Sequence, residues 1–119
     1  MKLDFTFIKD NEYIINRQNI KCINNKSTIF IIDKTKYKLY DDILEKETSY
    51  DLIQLDFKNK NCKIVLKKEN FVLNLNITVI KYEKRDTILN IQYKIESEED
   101  KINTININFK KCWQTYFLW

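Results

Sequence analysis

The chain has 119 residues, with 21 Lys and Arg against 17 Asp and Glu for a net charge of +4, and it contains no Gly, Pro, His or Ala. At 44% hydrophobic and 32% charged residues it has the balance of a folded chain, and its length suits one domain over residues 1–119 that buries about two-thirds of its unfolded surface. Without His, Ser–His and Cys–His nucleophile schemes are excluded; without Gly, so are phosphate-cradling loops and the dinucleotide fingerprint. No run approaches the roughly eighteen apolar residues of a membrane span.

Taken in chain order, hydrophobic residues recur at a spacing of two, the period of a strand with one buried face. Leu3, Phe5 and Phe7 open the pattern. Over residues 27–33, Ile29, Phe30, Ile31 and Ile32 are consecutive, which predicts a strand covered on both faces. Over residues 41–50, Asp42 and Glu45 fit a capping box that can begin one short helical turn, and a loop fits the segment equally. Alternation returns at Ile53, Leu55 and Phe57, then at Cys62, Ile64 and Leu66, and is clearest at Phe71, Leu73, Leu75, Ile77 and Val79, where Asn74, Asn76 and Thr78 take the solvated face. Leu89, Ile91, Tyr93 and Ile95 follow, then Ile105, Ile107 and Phe109.

Short polar clusters separate these runs, including Lys9-Asp10-Asn11-Glu12, Asn24-Asn25-Lys26, Asn59-Lys60-Asn61 and Lys68-Glu69-Asn70. With Gly and Pro absent, Asn and Asp must supply the positive-φ turn positions. Strands at about ten-residue spacing, joined by short turns, predict an all-β antiparallel barrel or closed sandwich of about eight to ten strands with at most one short helical turn.

Few groups offer chemistry. Cys22, Cys62 and Cys112 have neither CxxC spacing nor a His to complete a zinc site, and each lies in an apolar stretch where a free thiol acts as a small hydrophobe, as in a reducing cytoplasm. Glu45 with Asp51, and the acidic stretch Glu96, Glu98, Glu99 and Asp100, are the remaining carboxylate groupings; the latter lacks the ligand spacing and central Gly of a calcium loop and reads as a hairpin turn. The positive charge is carried by 19 Lys and only Arg17 and Arg85, interspersed with acids, which argues against nucleic-acid recognition. Tyr37, Tyr40, Phe71, Tyr82 and Tyr93 can be read as a base-stacking platform, yet Phe71 and Tyr93 fall in the apolar phase of their strands, as core residues do. No catalytic group, cofactor or metal is expected.

The aromatic tail stands out. Trp113, Tyr116, Phe117, Leu118 and Trp119 crowd the last seven positions, either as a final strand that fills the core or as a partner-binding patch. From residue 27 to 110 the strand order resembles the YwiB-like family of bacterial proteins, chiefly through Leu89-Asn90-Ile91-Gln92-Tyr93-Lys94-Ile95 and Ile105-Asn106-Ile107-Asn108-Phe109. The resemblance implies a calycin-type β-barrel and no functional residue; relatives carry Gly at turns and an Arg-x-Gly segment where this chain has Lys67-Lys68-Glu69-Asn70. The sequence thus points to a non-enzymatic, cytoplasmic protein-interaction domain of a low-GC bacterium, or of a phage or mobile element within one. The expected partner is a protein or a second copy, with no membrane contact. A barrel holding a small apolar ligand and a single-stranded nucleic-acid binder are the alternatives.

Overall fold

The computed structural model describes residues 1–110, and the aromatic tail lies outside them. Ten antiparallel strands follow one another around a closed barrel: β1 (Lys2–Lys9), β2 (Glu12–Asn24), β3 (Thr28–Ile32), β4 (Thr35–Tyr40), β5 (Ile43–Glu47), β6 (Asp51–Asp56), β7 (Asn61–Leu66), β8 (Phe71–Arg85), β9 (Ile88–Ile95) and β10 (Asn103–Lys110). Each strand pairs with its sequence neighbours, and β1 closes the ring against β10 from Lys2↔Lys110 to Lys9↔Asn103.

Turn chemistry follows the composition. Among the described residues nine have positive φ, and seven of them are Asn or Asp: Asp10, Asn11, Asn19, Asp33, Asp41, Asn70 and Asp86. Asp10-Asn11 and Asp33-Lys34 each place both residues of a two-residue hairpin loop at positive φ, the geometry that matches strand twist. The other exception is Lys60, with φ 57°, where a side chain costs about 1–2 kcal/mol. Lys60→Gly is expected to stabilise the barrel by up to about 1 kcal/mol in urea unfolding, glycine's greater unfolded-state freedom offsetting part of the gain. Equal or lower stability would contradict this assignment of strain.

The same turn is capped by Asp56, whose carboxylate accepts from the backbone N–H of Asn59 at 2.9 Å, from that of Lys58 at 3.1 Å and from Asn59 Nδ2 at 2.8 Å. These bonds, the Asn59 backbone N–H foremost, hold its carboxyl below the usual range. A depressed folded-state pKa gives stability that is present above the unfolded value and is lost as pH falls through the folded one. Asp56→Ala should therefore be less stable than wild type at pH 7, and the gap should close from about pH 4 downward; a constant gap would discount the charge.

Inward-facing residues fill the barrel. Leu3, Phe5, Phe30, Tyr37, Leu44, Leu55, Phe57, Cys62, Ile77, Leu89, Ile91, Tyr93, Ile105 and Ile107 are buried. Two aromatic clusters carry much of this volume: Phe5, Phe30 and Tyr37, with ring centroids 5.0–5.3 Å apart, and Phe57 with Tyr93 and Tyr82 at 5.3 and 6.1 Å.

Three expectations need correction. Residues 41–50 form no helical turn: Ile43–Glu47 is β5, and the single 3-10 turn among the described residues lies at Glu96–Glu98. The capping-box residues are used otherwise, Asp42 accepting a hydrogen bond from Tyr82 Oη at 2.7 Å and Glu45 bonding across the strands. The apolar run in β3 is covered on one face only, leaving Ile31 63% exposed. Finally, the alternation of β8 does not mark a buried face along its whole length, because Phe71 and Leu73 stand 51% and 40% exposed.

Candidate interaction surface

The strand lengths explain that last departure. At 13 and 15 residues, β2 and β8 are the longest strands, and each divides its length between two neighbours. β8 pairs with β7 from Phe71 to Asn76 and with β9 only from Ile77 onward, so among the described residues its first half has one side without a strand partner. β2 pairs with β1 over most of its length but with β3 only at Cys22, Ile23 and Asn24. Strand edges of this kind offer unpaired N–H and C=O groups to other chains.

The two edges differ in protection. Along β2 the register with β1 shifts twice, and Asn19 bulges at positive φ with its N–H donating to Asp4 Oδ1 at 2.9 Å. Arg17 reaches across the open side to Asp33 at 2.7 Å. Bulges and charges are the usual means of discouraging edge-to-edge pairing. β8 has neither over its first half: residues 71–80 read Phe-Val-Leu-Asn-Leu-Asn-Ile-Thr-Val-Ile, uncharged and free of Gly and Pro, and the only register shift falls later, between Val79 and Lys81. Val72, at 47% exposed, completes an apolar trio open on both faces of the strand, and exposed Tyr50 lies at the same end, its carbonyl accepting from Lys67 N at 2.9 Å.

A second feature is an open cleft of about 240 Å³ at the opposite mouth of the barrel, floored by Leu39, Leu89 and Phe109 and rimmed by Lys26, Asp41 and Lys84. Tyr82 lines it, and its hydroxyl pKa is raised by burial and by the bond to Asp42.

The residues singled out in the sequence are dispersed. Glu45 and Asp51 are each engaged in local bonds: Glu45 accepts from Tyr40 Oη at 2.5 Å and Gln54 Nε2 at 2.8 Å, and Asp51 from Thr48 Oγ1 at 2.6 Å. In the acidic turn, Glu98 pairs with Lys9 at 2.6 Å and Glu96 caps the backbone N–H of Asn76 at 3.0 Å. Among the described residues, no group of three or more His, Cys, Asp or Glu is gathered as for a metal ion. Cys22 and Cys62 are free and buried, and burial raises both thiol pKa values. Tyr37 and Tyr93 are core residues, Tyr40 and Tyr82 are half-buried and hydrogen-bonded, and Phe71 is exposed, so these five rings form no common platform. Trp113, Tyr116, Phe117, Leu118 and Trp119 lie outside the described residues, as does Cys112. The β8 edge was hidden in the sequence because period two reports which face a residue takes, not whether anything covers that face.

Scans against protein-family models, curated proteins and solved structures found no match to this chain. No helix among the described residues is long and apolar enough to cross a membrane.

Proposed function

We propose that the protein is a non-enzymatic binding module that engages another protein chain by strand addition at the open edge of β8. The observation that carries this reading is the projecting first half of β8, uncharged, with exposed Phe71 and Leu73 on one face and Val72 on the other, and unpaired along one side among the described residues. Edge pairing supplies main-chain hydrogen bonds for affinity, while alternate side chains supply selectivity. The packed aromatic interior favours this over a barrel that encloses an apolar ligand; a small ligand would be confined to the Tyr82 cleft. The interspersed lysines do not favour the nucleic-acid alternative. The aromatic tail is kept as a second contact region. We also retain the YwiB-like, calycin-type relationship as a proposal about ancestry. The abundance of Ile, Lys and Asn, whose codons are A/T-rich, and the absence of Gly, Pro and Ala, whose codons are G/C-rich, support a low-GC bacterial, phage or mobile-element origin, and the free buried thiols fit a reducing cytoplasm.

The test is capture from a host lysate by immobilised full-length protein and by a Val72→Lys, Leu73→Lys double variant whose circular dichroism matches wild type. A protein held by the first and released by the second is the expected result. No captured protein, or equal capture by both, overturns the proposal.

A further inference from the structure

We infer that the chain which pairs with this edge is a second copy of the protein, joined antiparallel about a two-fold axis at Leu73; this rests on the edge-binding reading above and specifies its occupant.

The direction of the main-chain groups fixes the register. Ile77 N donates to Lys60 O at 2.9 Å, toward β7, whereas Asn76 N points the other way and donates to Glu96 Oε1 at 3.0 Å. Alternation along a strand then turns the N–H and C=O of Phe71, Leu73 and Leu75 toward β7 and those of Val72 and Asn74 toward the open side. In an antiparallel pair, two opposed residues exchange both of their bonds at every second position. A two-fold at Leu73 sets Val72 opposite Asn74 of the mate, and Asn74 opposite its Val72, so all four outward-facing groups are bonded. The Glu96 clamp on Asn76 is left intact. A two-fold at Asn74 would instead demand the Asn76 N–H that Glu96 already holds.

Side chains and charges agree with this register. Leu73 meets its own copy and Phe71 meets Leu75 on one face, so the strongest apolar residues of the segment are covered. No like charges oppose each other within residues 71–75, the condition under which self-pairing meets no repulsion. Beyond Phe71, which meets Leu75, the mate's turn Lys67-Lys68-Glu69-Asn70, of net positive charge, comes to the level of Asn76 and Ile77. The acidic turn that contains Glu96, Glu98, Glu99 and Asp100 leaves β9 at Ile95, opposite Ile77. Lys67 is held by Glu47, Glu98 by Lys9 and Glu96 by Asn76, so the two-fold brings exposed Lys68 toward exposed Glu99 and Asp100, and does so twice. A C2 interface has this self-complementary character.

Two measurements on the full chain test the inference. Light scattering over a concentration series should show a mass twice that of the chain, reduced to one chain by Leu73→Lys with the thermal midpoint retained. In a Cys112→Ser background, Leu73→Cys should oxidise to a covalent dimer, because the two copies of residue 73 form a close non-hydrogen-bonded pair within disulfide reach. Val72→Cys, whose mate is Asn74, should remain unlinked. A monomer at all concentrations with no Leu73→Cys disulfide overturns self-pairing, and equal linking of the two cysteine variants overturns the register. If wild type is monomeric yet the Val72→Lys, Leu73→Lys variant loses a captured protein, edge binding stands and only the second copy is lost.

Discussion

Phe30→Ala is expected to destabilise the barrel by about 3–5 kcal/mol, the range for removing a buried aromatic ring. Phe30 is 2% exposed, stacks on Tyr37 with an interplanar angle of 7° and a centroid distance of 5.0 Å, and meets Phe5 at 5.3 Å. The three rings sit on three different strands, β1, β3 and β4, whose backbones are held by their own ladders. The space left by the ring therefore cannot close by a local shift, and the cavity cost adds to the lost burial. Since small domains are stable by about 5–15 kcal/mol in total, urea unfolding should show a large fall in midpoint with little change in slope. A loss below about 1 kcal/mol would mean that the interior is not packed as the ring geometry indicates.

Ile107→Asp should abolish cooperative folding at neutral pH, while Asn108→Asp, one residue further along, should have little effect. Ile107 is 1% exposed at the closing seam, opposite Phe5 of β1 and Leu89 of β9. A carboxylate there would be desolvated without a partner, at a cost of several kcal/mol. Asn108 points outward and is exposed, so a charge there remains hydrated. Thermal scans by circular dichroism compare the two. Similar stability for both variants would contradict the inside–outside assignment of β10.

These contrasts show what could be read from residues alone. The strands of the second half were legible because their inward positions carry large hydrophobes at strict spacing, as in Leu89, Ile91, Tyr93 and Ile105, Ile107, and because Asn and Asp mark the turns. β2 was not legible: only Cys22 among its residues is fully buried, and its bulges interrupt the alternation by which a strand is recognised. β5 was obscured in another way, since Leu44 is its single buried residue and the spacing of Asp42 and Glu45 imitates a helix start. The candidate edge was missed for a reason of geometry. Phe71 and Leu73 obey the strand pattern, and it is the offset between the end of β9 and the start of β8 that leaves them uncovered. Such an offset depends on how far each neighbour extends, which no local pattern records.

The closing pair also bears on how the chain reaches this shape. Among the described residues every other ladder is a hairpin or a short connection, formed between segments adjacent along the chain; only β1 with β10 joins segments far apart in sequence. Loop-closure entropy makes that pairing the slowest to nucleate. Before it forms, β1 and β10 each present a bare apolar edge, so conditions that delay the meeting of residues 2–9 with residues 103–110 favour aggregation over folding. Once it forms, the ring has no privileged first strand: Lys2 and Lys110 stand side by side, and the order of the strands could be rotated in sequence without changing a single neighbour in space.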